Sequence, residues 1–358
     1  MQMNAVTMMK RIKNCKKILI VKPSSLGDVV HSLPFLNSIK ACFPKAEIHW
    51  VIAKGLEGLL ACHPMVDRLI IINKDMWKKL SRTADTLKEV RHLLKDIRNE
   101  QYDLAVDLQG LFRSGVITMA TGAPVRAGFS EAREGSSLFY NLKVKGGIDV
   151  HAVERYMKIA GALGCDDENI IFPFSLCSGE MRNIEGIKRD LKDYAVIVPG
   201  ARWDTKIWAA ANFGRIASLL PLKSIVIGSK SDMEIAEKVV QASRGKAISL
   251  AGRTSLKELI ELMRNARLVI SNDSGPMHIA AGFNVPVFAI FGPTSPVRTG
   301  PYGKGHTIIK SNLECAPCFK KHCSDLKCMQ GITVDVVYEK IINPKNAIAA
   351  WLCEKKPL

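Results

Sequence analysis

The sequence has no apolar run that approaches the roughly 18 residues a membrane-spanning helix needs. Its first residues, MQMNAVTMMKRIKNCKK, carry Lys and Arg but no long apolar stretch before a small-residue cleavage site. They therefore do not have the pattern of a secretion signal. Internal repeats and low-complexity blocks are absent as well. We therefore expect a cytoplasmic globular protein that at most rests on a membrane surface.

Acidic residues are few, with 34 Asp and Glu against 51 Lys and Arg, which gives a net charge of +17. Such an excess forms either a solvated basic surface or a surface for an anionic partner: nucleic acid, an anionic membrane or a phosphorylated substrate. We find no recognition-helix pattern and no aromatic stacking motif, so no nucleic-acid partner is expected. A D-x-D pair after a strand is also missing, which argues against a divalent metal that holds a diphosphate.

Apolar runs alternate with helix-period segments through both halves of the 358-residue chain. This order predicts an α/β protein with two parallel sheets and right-handed crossovers. Strands are predicted at 17–22, 47–53, 68–72, 102–108, 194–200, 223–229, 246–250, 267–273 and 285–292. Helices are predicted at about 28–41, 84–99, 209–219, 232–243, 255–265 and 276–283. A polar segment near 177–192 separates the halves, so we predict domains 1–185 and 186–358.

Ligands of open parallel sheets bind beyond the carboxyl ends of the strands, so the residues that follow each strand are informative. In ISNDSGPMHIAAG, a strand is followed by Asp273, Ser274 and Gly275, and then by a helix. Asp273 and Ser274 suit helix capping. The same geometry suits a diphosphate held by helix amides, with Gly275 allowing close approach and Asp273 accepting hydrogen bonds from sugar hydroxyls. His278 either faces that ligand or packs in the core.

Two further strand ends carry candidate groups. In VPGARWDTKIW, a strand ends at Gly200, and the loop carries Arg202 and Lys206, which together suit a charge clamp for a leaving diphosphate. In KILIVKPSSLGDVVHSLP, Asp28 follows the first strand of the chain. Ser25 is also available to cap the following helix, so Asp28 is a candidate base that removes a proton from an incoming hydroxyl.

These pieces occur together in one family. The chain resembles the lipopolysaccharide core heptosyltransferases of glycosyltransferase family nine. The matching stretches, in family order, are VKPSSLGDVVHSLP, DLQGLFRSG, SLFYN with HAVERY, PGARWDTKIW and SNDSGPMHIAAGFNVPVFAIFGPTSPVRTGPYG. The first half is closer to heptosyltransferase I. The resemblance implies a GT-B fold, with two Rossmann-like domains that face each other across a cleft. It also implies an inverting, metal-independent transfer of heptose from ADP-L-glycero-D-manno-heptose to the Kdo region of lipid A.

The resemblance also assigns roles. Asp28 matches the general base, and Lys206 matches the lysine that neutralises the donor phosphates. Asp273 matches the aspartate that holds heptose hydroxyls, with Ser274, Gly275 and His278 in the donor-binding loop and helix. Residues expected to bind the acceptor are Ser25, Lys74, Lys78, Lys79, Arg113, Arg126 and Arg133. We expect the enzyme to work at the inner face of the cytoplasmic membrane, without a catalytic cofactor.

Six of the ten cysteines are scattered, and we expect them to be free thiols of a cytoplasmic protein. The other four lie in CAPCFKKHCSDLKC, residues 315–328, which we call the Cys-rich segment. This segment resembles heptosyltransferase II-like tails. The spacing of its cysteines suits a structural zinc ion. Alternatively, the segment is a small surface projection whose thiols are oxidised after purification. In neither case do we expect a catalytic role. The metal-ligand candidates are Cys315, Cys318, Cys323 and Cys328.

Two alternatives remain open. A nucleotide-sugar epimerase or hydrolase of similar architecture would consume the donor without an acceptor. A basic nucleic-acid-binding protein with a Cys-rich module belongs to a different class, and its binding would depend steeply on salt concentration.

Overall fold

The computed structural model describes residues 10–73, 84–165, 169–175, 184–186, 189 and 191–354. The chain forms two compact units, Met1–Cys177 and Ser178–Leu358. Among the described residues, each unit contains one six-stranded sheet whose neighbouring strands are all parallel. The alternating α/β order predicted from the sequence is thus confirmed.

The first unit has the strand order β3-β2-β1-β4-β5-β6. Its strands are β1 Lys17–Val21, β2 Glu47–Ala53, β3 Arg68–Ile72, β4 Leu104–Asp107, β5 Val125–Phe129 and β6 Leu142–Val144. Its helices are α1 Leu26–His31, α2 Leu33–Cys42, α3 Ala84–Asn99, α4 Phe112–Ala120 and α5 Ala152–Ala162, with short 3-10 turns at Glu57–Leu59 and Ser136–Phe139. The central strand β1 is apolar from Ile18 to Val21 because helices cover both faces of a parallel sheet.

The second unit has the strand order β12-β11-β10-β7-β8-β9. Its strands are β7 Tyr194–Val198, β8 Lys223–Val226, β9 Ala247–Ser249, β10 Leu268–Asn272, β11 Val287–Phe291 and β12 Thr307–Lys310. Its helices are α6 Ala210–Leu219, α7 Met233–Ala242, α8 Leu256–Asn265, α9 Gly275–Gly282, α10 Pro296–Thr299, α11 Lys327–Gln330, α12 Val334–Ile342 and α13 Ala347–Glu354. Two 3-10 turns, Asp204–Lys206 and Lys230–Asp232, follow β7 and β8. The last helix packs Ile348 and Leu352 into the core of this unit.

The helix predicted at 28–41 is two helices that meet at Ser32, which caps the end of α1 and begins α2. Pro34 explains the break, because proline has no N–H to continue a helix but suits its first turn. Strands β5, β6 and β12 were not predicted. Two of them, β6 and β12, lie at sheet edges, where short and partly polar sequences suffice.

One expectation about the cysteines is wrong. Cys42 and Cys165 are not separate thiols but form a disulfide that joins the end of α2 to the residues after α5. The two helices pack together, and the Ser38 hydroxyl donates to the carbonyl of Cys165 at 2.9 Å. Two cysteines 123 residues apart in sequence therefore meet through tertiary packing, which their spacing does not reveal.

None of the helices within the described residues combines the length and apolarity required to cross a bilayer.

Candidate active site

The strand ends of the second unit bring together a lysine, an aspartate and a threonine. Lys206 Nζ donates to Asp273 Oδ2 at 2.7 Å, and the hydroxyl of Thr294 donates to the same oxygen at 2.7 Å. The Lys206 side chain is 14% exposed and that of Asp273 is 7% exposed. Lys206 follows β7, Asp273 follows β10 and Thr294 follows β11. Three neighbouring strands therefore deliver one buried ion pair to the carboxyl edge of the sheet.

The carboxylate of Asp273 does not serve as a helix cap. Ser274 occupies the cap position of α9, with extended backbone angles and no capping hydrogen bond from its side chain. Gly275 and Pro276 begin the first turn, and because Pro276 has no N–H, the amides without a partner inside the helix are those of Gly275 and Met277. His278 is only 5% exposed and lies within α9. The arrangement leaves the amino end of α9 beside the Lys206–Asp273 pair, where helix amides favour an anion.

Asn272, the last residue of β10, fixes the loop that carries Lys206. Its side-chain amide donates to the carbonyl of Pro199 at 2.7 Å, and its side-chain oxygen accepts from the backbone N–H of Trp208 at 3.1 Å. The loop between these two residues contains Gly200, where an added Cβ would lie 2.6 Å from the carboxyl group of Asp232. Gly200 therefore allows a carboxylate to approach the strand end closely.

Lys206 has a second contact within its own loop. Its Nζ lies 4.6 Å from the ring centroid of Trp203, a distance at which a cation is attracted to an indole face. Arg202, predicted as the other half of a charge clamp, is exposed. The structure therefore brings Lys206, and not Arg202, to the Asp273 carboxylate.

In the first unit, Asp28 belongs to a capping box at the start of α1. Its Oδ2 accepts from the backbone N–H and from the hydroxyl of Ser25, both at 2.8 Å. The reciprocal pattern places Ser25 at the cap position and Asp28 three residues later. Sequence reasoning treated capping and a functional role as competing uses of Asp28, whereas the structure gives its carboxylate a fixed position through the cap.

A buried lysine, missed in the sequence, lies behind Asp28. Lys22 is 2% exposed, and its Nζ donates to the carbonyl of Leu108 at 3.2 Å. Burial by itself lowers the pKa of Lys22, but Tyr156 and the carboxylates of Asp28 and Asp107 outweigh it, so the net shift of that pKa is upward. This upward shift favours the charged form of Lys22. The sequence signal was a lysine directly after a buried apolar strand.

Asp107, the last residue of β4, helps to link this strand to the loop between β1 and α1. It is fully buried, and burial raises the pKa of its carboxyl group, although hydrogen bonds from Tyr140 and from backbone amides oppose that shift. It accepts from the N–H groups of Gln109 and Gly110 at 2.8 and 2.9 Å. The side chain of Gln109 in turn accepts from the N–H of Ser24 at 3.3 Å. The two loops at this edge are therefore fixed to each other.

The residues predicted to bind the acceptor separate into three groups. Ser25, Arg113 and Arg133 lie in segments that follow β1, β4 and β5, and the N–H of Arg133 donates to the carbonyl of Gly110 at 3.0 Å. Arg126 lies near the amino end of β5, where its guanidinium donates to the carbonyls of Ala123 and Phe139, so the structure does not bring it to this edge. The predicted residues Lys74, Lys78 and Lys79 lie outside the described residues.

The model of glycosyltransferase family 9 (heptosyltransferase) matches residues 90–329, which is most of the chain. The chain belongs to glycosyltransferase family 9. It is 31% identical over 318 residues to lipopolysaccharide heptosyltransferase 1 of Pseudomonas aeruginosa, covering 86% of this chain and 87% of that one. It is 32% identical over 316 residues to lipooligosaccharide heptosyltransferase 2 of Haemophilus ducreyi, covering 82% and 88%.

Solved structures show the same fold for this family 9 glycosyltransferase. The E. coli heptosyltransferase WaaC with ADP-2-deoxy-2-fluoro heptose superimposes with a TM-score of 0.73 at 25% identity, covering 91% of this chain and 98% of that chain. A family 9 protein from Veillonella parvula gives a TM-score of 0.76 at 23% identity, covering 94% and 97%. The GT-B type of fold predicted from the sequence is confirmed, as is the prediction of a glycosyltransferase.

The Cys-rich segment of this family 9 glycosyltransferase contains four free thiols. Burial raises the pKa of the Cys328 thiol, whereas hydrogen bonds from the backbone amides of Leu326 and Asp325 lower the pKa of the exposed Cys323 thiol. Within the part of the chain that the structure describes, no three His, Cys, Asp or Glu side chains converge as a metal ion requires. The pKa values of these two thiols are thus shifted in opposite directions, and the described side chains do not form a metal site.

Proposed function

We propose that the protein transfers heptose from ADP-L-glycero-D-manno-heptose to the Kdo-bearing inner core of lipid A, with inversion at the anomeric carbon. The observation that carries the proposal is the buried Lys206–Asp273 pair, at 2.7 Å, beside the amino end of α9. A cation, a carboxylate and the amides at a helix start together suit a donor that carries both a diphosphate and sugar hydroxyls. Family membership and the heptosyltransferase names of its relatives support the same donor.

On the donor side, Lys206 compensates the charge that develops on the departing diphosphate. The helix amides of α9 add hydrogen bonds to the phosphate oxygens, and Gly275 leaves room for them. Asp273 accepts hydrogen bonds from heptose hydroxyls. Thr294 already donates to Asp273 Oδ2, so it holds that carboxylate in place while Lys206 exchanges its partner for phosphate.

On the acceptor side, Asp28 removes the proton from the attacking hydroxyl of Kdo. The capping box fixes the carboxylate, and its charge is among the causes that raise the pKa of the buried Lys22. A single displacement inverts the anomeric centre, so one base and one stabilised leaving group suffice. The reaction needs no covalent nucleophile, in contrast to retaining chemistry with its second carboxylate.

No catalytic metal has a task in this mechanism, since Lys206 and the helix amides compensate the diphosphate charge. Zinc binding by the Cys-rich segment stays a prediction from cysteine spacing, because the described side chains do not converge on one point.

We further propose that the first unit docks on an anionic membrane through an apolar face of α4. Phe112 and Met119, seven residues apart on this helix, are 52% and 58% exposed, and Leu138 on the adjoining 3-10 turn is 80% exposed. The rings of Phe112 and Phe139 are in contact, with centroids 5.6 Å apart, so the two elements form one surface. Arg113 follows Phe112 in the chain, and both Arg113 and Arg133 are exposed, as is Glu134, whose carboxylate accepts from the N–H of Phe112. Apolar side chains bordered by basic ones suit anionic lipid head groups.

The transferase proposal is tested by incubating the protein with ADP-heptose and Kdo-bearing lipid A in the presence of EDTA. We expect ADP release and a mass gain of one heptose on the acceptor in equal amounts. ADP release without that mass gain would indicate a hydrolase or epimerase-like reaction instead. Loss of transfer on addition of EDTA would contradict metal independence.

The membrane proposal predicts a loss of lipid binding in the double variant Phe112→Ser/Leu138→Ser. We expect sedimentation with phosphatidylglycerol-containing vesicles at low salt to weaken about tenfold or more, because each apolar side chain loses its burial in the bilayer. Ile71→Ser is the matched control, since Ile71 is 50% exposed on β3 at the opposite edge of the sheet. Turnover of a deacylated acceptor is expected to be unchanged. Equal sedimentation of the double variant and the unsubstituted protein would contradict this docking face.

A further inference from the structure

Thr205 is buried although it lies in the loop that carries Lys206. It is 3% exposed, and its hydroxyl donates to the carbonyl of Lys320 at 2.9 Å. Lys320 belongs to the Cys-rich segment and lies 115 residues later in the chain. A buried hydroxyl that loses its partner is unfavourable, so this bond fixes the 3-10 turn Asp204–Lys206 against the segment.

Phe319, the residue before Lys320, contacts the loop after β11, which is the second loop of the donor site. The backbone N–H of Phe319 donates to the carbonyl of Pro293 at 2.8 Å. The next residue in that loop is Thr294, whose hydroxyl donates to Asp273. The guanidinium of Arg298, on α10, lies 5.4 Å from the ring centroid of Phe319 and adds a second contact on the same side.

The residue after Lys320 contacts the tryptophan that Lys206 also contacts. Lys321 Nζ lies 5.6 Å from the ring centroid of Trp203, and Lys206 Nζ lies 4.6 Å from it. Three consecutive residues of the Cys-rich segment, 319–321, therefore contact both strand-end loops that supply Lys206 and Thr294. Neither loop has secondary structure beyond a short 3-10 turn, so its shape depends on such contacts.

We infer that the Cys-rich segment positions Lys206 for the donor diphosphate, and that Thr205 is the positioning residue through which it acts. The inference rests on the donor site proposed above. Electrostatic stabilisation of a leaving group depends on fixed geometry, and a displacement of about 1 Å can lower a rate by about 100-fold. The segment thus has a task in the reaction through its backbone and Lys321, independent of metal binding by its thiols.

The test compares Thr205→Val with Thr205→Ser, which keeps the hydroxyl. We expect Thr205→Val to lower kcat/KM for ADP-heptose about tenfold, with the KM for the acceptor unchanged, and Thr205→Ser to stay within about twofold of the unsubstituted protein. Thr307→Val is the matched control, because the Thr307 hydroxyl lies at the start of β12, with Asn346 as its partner at 3.5 Å. Lys321→Met removes an exposed side chain without affecting folding, and we expect a two- to fivefold loss in the same constant.

A double-mutant cycle distinguishes positioning from general destabilisation. If Thr205 acts through Lys206, then Thr205→Val/Lys206→Met should transfer heptose as slowly as Lys206→Met alone. Additive losses, or unchanged donor kinetics in both Thr205→Val and Lys321→Met, would overturn the inference while leaving the proposed donor site intact. Unimpaired donor use by Lys206→Met would overturn the donor site itself, and the inference with it.

Discussion

Replacing Asp28 with asparagine is expected to lower kcat for heptose transfer by about 100- to 10,000-fold, because the variant cannot take the acceptor proton. Asparagine keeps the size of the side chain and an oxygen that accepts hydrogen bonds from Ser25 N–H and hydroxyl. The capping box should therefore survive, and the affinity for ADP-heptose should not change. Steady-state turnover and donor binding by calorimetry measure the two effects separately.

The control for this substitution lies in the second unit. Ser255 and Glu258 form the same capping box at the start of α8, with Glu258 Oε2 accepting from the N–H and the hydroxyl of Ser255 at 2.8 and 3.0 Å. Glu258→Gln thus repeats the structural change at the start of α8, which follows β9 and not one of the strands that carry Lys206, Asp273 and Thr294. We expect it to leave turnover unchanged. Retained turnover in Asp28→Asn would remove Asp28 from the role of base.

Lys206→Met is expected to lower kcat/KM for the donor by about 100- to 1,000-fold, since a fixed cation no longer compensates the departing diphosphate. The variant also leaves the carboxylate of Asp273 buried without its cation, and breaking a buried pair costs about 3–5 kcal/mol of folding stability. Thr294 still donates to that carboxylate, so we expect the loss to fall at the lower end of this range. Donor kinetics and urea denaturation of the same preparation report the two consequences.

A surface pair of the same unit provides the comparison. Lys238 bonds Glu234 at 2.7 Å, but the two side chains are 61% and 84% exposed. Exposed pairs contribute little, so Lys238→Met should change neither stability nor kinetics measurably. A Lys206→Met variant that behaved like Lys238→Met would show that Lys206 does not contact the diphosphate.

The sequence predicted most strands of the two sheets because buried parallel strands consist of short apolar runs. The runs 47–53 and 68–72 coincide with β2 and β3 residue for residue. Edge strand β6, with its sequence LKV, has no such run, since it is short and partly exposed. Pro34, read as part of one helix, instead starts a second one. The local sequence pattern therefore predicted nine of the twelve described strands, but missed the inner strand β5, the edge strands β6 and β12, and the helix break at Ser32.

The sequence singled out candidate residues in the segments that follow strands. Asp273 comes directly after β10, whereas Asp28 and Lys206 lie seven and eight residues after the ends of β1 and β7. Their relations to other residues were not predicted, because they arise from contacts between distant parts of the chain. The bond from Thr294 to Asp273 spans 21 residues, and the bond from Thr205 to Lys320 spans 115. Arg126 shows the converse, since its charge suggested a ligand although its guanidinium binds two backbone carbonyls.

The late position of the Cys-rich segment has a consequence for synthesis of the protein. All strands of both sheets within the described residues precede residue 311, whereas the carbonyl that receives the Thr205 hydroxyl belongs to Lys320, and the one that receives the Trp208 indole N–H belongs to Ile332. A nascent chain can therefore complete both sheets before the loop that carries Lys206 acquires these two partners. We expect competence to bind the donor only once residues 320–332 have left the ribosome.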